Sequence, residues 1–128
     1  MKDFSGELDW SYFDRRSLPR RAPASRIWAA VENMTRNEML GTAEVADFSG
    51  LGVALCGLAS NPVAALGDRL WVTLIADAGI IPLQATLVHI KRDVFGVEVT
   101  PPSEAGQQFL LRLYERAVSC EPFGANFS

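Results

Sequence analysis

The stretch Leu70-Trp71-Val72-Thr73-Leu74-Ile75-Ala76, followed by Asp77-Ala78-Gly79 and then Ile80 to Ile90, decides the fold. Leu70, Val72, Leu74 and Ala76 alternate with Trp71, Thr73 and Ile75. That period of two belongs to a strand that buries one face. Asp77-Ala78-Gly79 carries turn chemistry. Ile80 to Ile90 then reads as a second long strand, with Ala85 and Leu87 opposed to Thr86 and Val88. Lys91-Arg92-Asp93 turns the chain again, and Phe95, Val97 and Val99 alternate with Gly96 and Glu98 in a last strand. Strands joined by tight turns pair antiparallel.

Outward from this core the pattern repeats. On the N-terminal side, Ile27, Ala29 and Val31 share one face of a strand, and Asn33 to Asn37 reads as a turn. A further strand runs from Gly41 to Ala46, and Asp47-Phe48-Ser49-Gly50 is expected to break it. Val53 and Leu55 share a face of a short strand. Residues 57–67, with Asn61 and Pro62, read as a loop. On the C-terminal side the period changes. Ser103 is a candidate N-cap, Glu104 suits the first turn, and Phe109, Leu110, Leu113, Tyr114 and Ala117 recur at helical spacing. The expected fold is all-β with a C-terminal helix, most simply a small antiparallel β-barrel covered at one end or side by that helix.

Composition removes several function classes. A chain of 128 residues suits one domain, and 48% hydrophobic residues is too many for a disordered polypeptide. No apolar run approaches the roughly 18 residues of a membrane span. Residues 1–10 are polar and acidic, without an apolar signal-peptide core, so a cytoplasmic location and no membrane association are expected. Cys56 and Cys120 match no metal or redox spacing. A net charge of −3 argues against DNA as a partner. HExxH, CxxC, P-loop and GxSxG motifs are absent, and Gly50-Leu51-Gly52 is a lone GxG. His89 lies in a strand, where a single histidine is more often structural than catalytic. Trp10, Trp28 and Trp71 could stack on bases, but packing explains Trp28 and Trp71 more simply. No enzyme activity, metal or cofactor is expected.

The charge is nevertheless uneven. Arg15, Arg16, Arg20, Arg21 and Arg26 supply five of the 12 basic residues within twelve positions. Pro19 and Pro23 bias this segment toward extended geometry. The bland explanation is a solvated basic stretch paired with Asp3, Glu7, Asp9 and Asp14. Two motifs point further. Arg16-Ser17-Leu18-Pro19-Arg20 is an RxxxR, and Asp47-Phe48-Ser49-Gly50-Leu51-Gly52 is a DxSxxG that starts 27 positions after Arg20. Alone, the second would be an ordinary turn. In this order and spacing, ahead of a β-rich domain with a terminal helix, the two resemble the PilZ family. Pro23, the Gly67-Asp68-Arg69-Leu70 strand start, Phe95-Gly96-Val97-Glu98-Val99 and Ser103-Glu104 extend the resemblance over about residues 15–117. Val99 and Arg21 depart from residues common in the family.

The resemblance implies a barrel of about six strands and a receptor for cyclic di-GMP that relays its signal to an unidentified protein effector. The chain then divides into a flexible N-terminal arm (1–14), a PilZ-like domain (15–117) and a loose tail (118–128). Arg15, Arg16, Arg20, Arg21, Asp47, Ser49, Gly50 and Gly52 are the expected ligand-binding residues. Arginine can bond guanine O6 and N7 together and can lie against a purine. Asp47 can accept from guanine N1–H and the exocyclic amine. Ser49 and the turn backbone can meet a second purine or a phosphate, and Gly52 lets the backbone approach closely. By resemblance, Arg15 beside the RxxxR accompanies two stacked ligands per chain rather than one. The competing readings are a PilZ-like adaptor without nucleotide and an unrelated barrel for single-stranded nucleic acid. Clustering of the arginines in one segment ahead of the strands, rather than spread over them, counts against the latter.

Overall fold

The computed structural model describes residues 19–58 and 63–119. It contains strands β1 (Arg21–Ala22), β2 (Trp28–Asn33), β3 (Glu38–Ser49), β4 (Gly52–Cys56), β5 (Arg69–Ala76), β6 (Gly79–Lys91), β7 (Val94–Val99) and β8 (Val118–Ser119). One helix, α1, spans Glu104–Arg116. All the strand pairings are antiparallel. The sheet runs β2-β5-β6-β7-β4-β3, and β2 pairs back to β3, so six strands close into the expected barrel. β1 and β8 extend it beyond β3.

Alternation in the sequence becomes the core. Ala29, Val31, Leu70, Val72, Leu74, Leu83, Ala85, Leu87, Phe95, Val97 and Val99 are all buried. The two longest strands do double duty. β6 pairs through its first half with β5 and through its second with β7. β3 pairs first with β2 and then with β4 and β1. Bulges between Val45 and Asp47 and between Leu87 and His89 let each strand bend around the barrel.

Helix α1 starts as the sequence predicts, with Ser103 Oγ accepting from the Gly106 amide at 3.4 Å. Phe109, Leu110 and Tyr114 are buried as expected, joined by Leu111, while Leu113 and Ala117 are only partly buried. The helix lies against the β5–β6 hairpin. A Cβ on Gly79 would come within 3.5 Å of Phe109, and one on Gly106 within 2.8 Å of Pro102.

Three boundaries differ from expectation. Asp47-Phe48-Ser49 does not break β3, because the bulge absorbs the irregularity and the strand turns only at Gly50, whose φ is 56°. Arg21–Ala22 form a strand that the sequence pattern does not mark, and Val118–Ser119 belong to the sheet where a loose tail is expected from 118, with Arg21 opposite Phe48 and Ala22 opposite Val118. Two-residue strands carry no periodicity, so only their partners define them. The expected arm at 1–14 and the remaining tail from 120 lie outside the described residues.

Residues 33–36 and 63–68 are locked by a buried polar clamp. Asn33, fully buried, donates to Asp68 Oδ2 and to the Val63 carbonyl, both at 2.9 Å, and accepts from the Arg36 amide at 3.1 Å. Asp68 also accepts from Arg36 Nε at 2.6 Å and from the Ala65 amide at 2.9 Å. The Arg36 side chain, then Asn33 and the Ala65 amide, hold the Asp68 carboxyl down at about 2 from the usual 3.8. A folded value below the unfolded one stabilises the fold above about pH 4, and that stabilisation is lost as pH falls toward 2. Asp68→Asn is therefore expected to be less stable at neutral pH, with a flatter stability profile between pH 4 and pH 2. Thermal melts of both proteins across that range check this, and parallel profiles would refute it.

Candidate functional site

The segment before β2, which contains β1, lies beside the second half of β3, and this brings Arg20 to the second motif. Arg20 Nε donates to Asp47 Oδ1 at 2.5 Å across 27 residues of sequence. Half of the Arg20 side chain and about 29% of the Asp47 side chain remain exposed. An ion pair this open contributes little to stability, on the order of 0–1 kcal/mol. It holds two charged groups in place at small cost to any ligand that opens it.

The strand and turn fix the remaining groups. Ser49 and Gly52 face each other as the last pair of the β3–β4 hairpin, and Gly50-Leu51 forms its two-residue loop. A positive φ at Gly50 is the requirement of the first position of a type II′ turn. Leu51 turns inward and is buried, which anchors the loop. Gly52 lies beside both motif partners: a Cβ there would be in ordinary contact with the Ser49 carbonyl at 3.5 Å and the Arg20 guanidinium at 3.9 Å.

Arg20, Ser49 and Gly52 line an open cleft of about 240 Å³, completed by Val88, Val97 and Glu98. Glu98 comes from the outer face of β7, where it stands opposite Gly52. The sequence places Glu98 on the solvent side of its strand, but only the barrel's register carries it to Gly52. The cleft falls below the roughly 300–1,000 Å³ common for small-molecule sites. Arg15 and Arg16 lie outside the described residues.

Not every expected residue joins this cleft. Successive side chains on extended backbone point to opposite sides. Arg20 faces Asp47, so Arg21 turns away. Its guanidinium lies 4.2 Å from the Tyr114 ring centroid, and Nη1 donates to the Tyr114 carbonyl at 2.9 Å. Gly50 shapes the hairpin without lining the cleft. Arg26 is remote, paired with Glu44 at 3.2 Å and placed over Trp28.

A second cleft of about 490 Å³ lies among Trp71, Pro82, Gln84, Pro101 and Pro102. No charged side chain lines it. Among the described residues no cluster of three or more His, Cys, Asp or Glu could hold a metal, and no helix is long and apolar enough to cross a membrane.

The model of the PilZ domain family matches residues 14–116, most of the chain. The chain belongs to the PilZ domain family. Among solved structures, this PilZ domain is similar to the PilZ domain with c-di-GMP of YcgR from Escherichia coli, with a TM-score of 0.61 and 16% sequence identity. That similarity covers 79% of this chain and 90% of the other, and at such identity it speaks for the fold. No curated protein matches the chain. The family match starts at Asp14 and so includes the whole arginine cluster from Arg15 to Arg26.

Proposed function

We propose that this PilZ domain is a receptor for cyclic di-GMP that signals to a protein partner through the segment carrying its arginines. The observation that carries this reading is the meeting of Arg20 with Asp47 beside the open cleft that Arg20 lines together with Ser49 and Gly52. A cation, an anion that accepts hydrogen bonds, a hydroxyl and a bare backbone position suit a ligand with guanine edges and phosphates. Arg20 can fork onto guanine O6 and N7 or onto a phosphate. Asp47 can accept from guanine N1–H and the 2-amino group, donors that adenine lacks. Arg15 and Arg16 are assigned to the rest of the ligand, with Arg15 supporting a second, stacked molecule.

The relay is mechanical in this reading. The ligand takes over contacts that Arg20 and Asp47 make with each other, and the partner senses the altered segment. The non-binding adaptor is the competing role, and the retained motif residues count against it.

Calorimetric titration with cyclic di-GMP, with GMP and cyclic di-AMP as controls, tests the reading. Saturable binding of cyclic di-GMP with two molecules per chain is expected, with no response to cyclic di-AMP. Arg15→Leu should reduce the stoichiometry to one. Equal binding of both dinucleotides would remove the guanine-reading role of Asp47, and no binding at all would leave the adaptor.

A further inference from the structure

Tyr114 is fully buried near the end of α1, yet its polar atoms reach out to the arginine segment. Its hydroxyl donates to the Pro19 carbonyl at 2.5 Å, across 95 residues of sequence. Its own carbonyl accepts from Arg21 Nη1, and the Arg21 guanidinium covers its ring. The ring edge meets Phe48 with centroids 5.7 Å apart at 80°. Phe48 is in turn the backbone partner of Arg21 in β3. The residues on both sides of Arg20 are thus tied to one tyrosine. Arg20 itself projects the other way, to Asp47.

We propose that Tyr114 and Arg21 form a clasp that positions Arg20 for its ligand, so that the terminal helix sets the affinity of a site it does not line. This rests on the cyclic di-GMP reading of the cleft. Tyr114 and Arg21 are positioning residues, because neither lines the cleft. The physical basis is the cost of ordering. An extended segment with three fixed points leaves Arg20 few directions, and a ligand then finds the guanidinium aimed instead of having to immobilise it. The same geometry works in reverse. A partner that displaces the end of α1 releases Pro19 and Arg21 together and weakens ligand binding. By linkage, a bound ligand holds the helix end in place.

Tyr114→Phe is the informative variant. It keeps the ring, the Phe48 contact and the Arg21 stack, and removes only the hydroxyl. Cyclic di-GMP affinity is expected to fall about 3- to 10-fold, the range of one lost neutral hydrogen bond. In the Arg20→Ala background the same change should alter residual affinity less than about 2-fold, because its effect passes through Arg20. An equal loss in both backgrounds would overturn the proposal, since a merely structural role gives that result. A second readout needs no ligand. Tryptic cleavage after Arg20 should be faster in Tyr114→Phe and in Arg21→Met than in wild type, at nearly unchanged melting temperature. Unchanged cleavage would overturn the clasp. Wild type that binds ligand with unaltered affinity in Tyr114→Phe defeats this inference alone. Wild type that binds no cyclic di-GMP defeats the receptor reading as well.

Discussion

Replacing Arg20 with alanine is expected to weaken cyclic di-GMP binding about 10- to 150-fold and to leave the melting temperature almost unchanged. The two halves of this expectation have separate causes. Hydrogen bonds from a charged donor contribute about 1.5–3 kcal/mol each, which gives the range in affinity. The stability of the free protein hardly depends on Arg20, because its ion pair with Asp47 is half exposed and lies outside the barrel core. Calorimetry of Arg20→Ala beside a thermal melt checks both. Undiminished affinity would remove Arg20 from the site, and a large fall in melting temperature would make it a structural residue.

Asn33→Ala should show the opposite pattern. The side chain is fully buried, and its loss strips one hydrogen bond each from the Val63 carbonyl, Asp68 and the Arg36 amide. Leaving buried partners unsatisfied costs about 1–3 kcal/mol. For a domain of this size that corresponds to a fall of roughly 5–12 °C in melting temperature. Ligand affinity should stay within about 2-fold of wild type well below the melt. Asn33 pairs with Glu38 at one end of β3, and Asp47 sits nine residues further along that strand, at most about 30 Å away at the rise of a strand. Loss of affinity in Asn33→Ala at low temperature would mean that the clamp and the cleft are coupled.

The contrast between these two variants follows the line between what was legible in the sequence and what was not. Strands β5, β6 and β7 were legible because each buries one face, so a period of two is written into Leu70 to Val99. The N-cap at Ser103 was legible because its chemistry is local. The motif pair was legible as a resemblance, and Arg20, Asp47, Ser49 and Gly52 do come together. The direction of Arg21 was not, since the arginine cluster looks alike from every side until Tyr114 occupies one of them. Asn33 read as a turn residue, because its partner Asp68 is 35 positions away and nothing local announces a clamp. Glu98 in the cleft required the register of β4 against β7. The continuation of β3 through Ser49 required the bulge opposite Leu55 and Ala54. Each of these misses is a long-range pairing that leaves no periodic trace.

Closure of the six-stranded sheet carries a consequence for how the protein behaves at high concentration. Open sheets expose rows of unpaired amides that can recruit a neighbouring chain and seed aggregates. Here β2 returns to β3, and the strand left at the border of the sheet, β8, is two residues long among those described. A template of that length offers a second molecule very little to pair with. Edge-to-edge assembly through β8 is therefore disfavoured. Exposed side chains such as Trp28, Ile75 and Ile80, which stand in one cross-strand row, are then the features that govern its solubility.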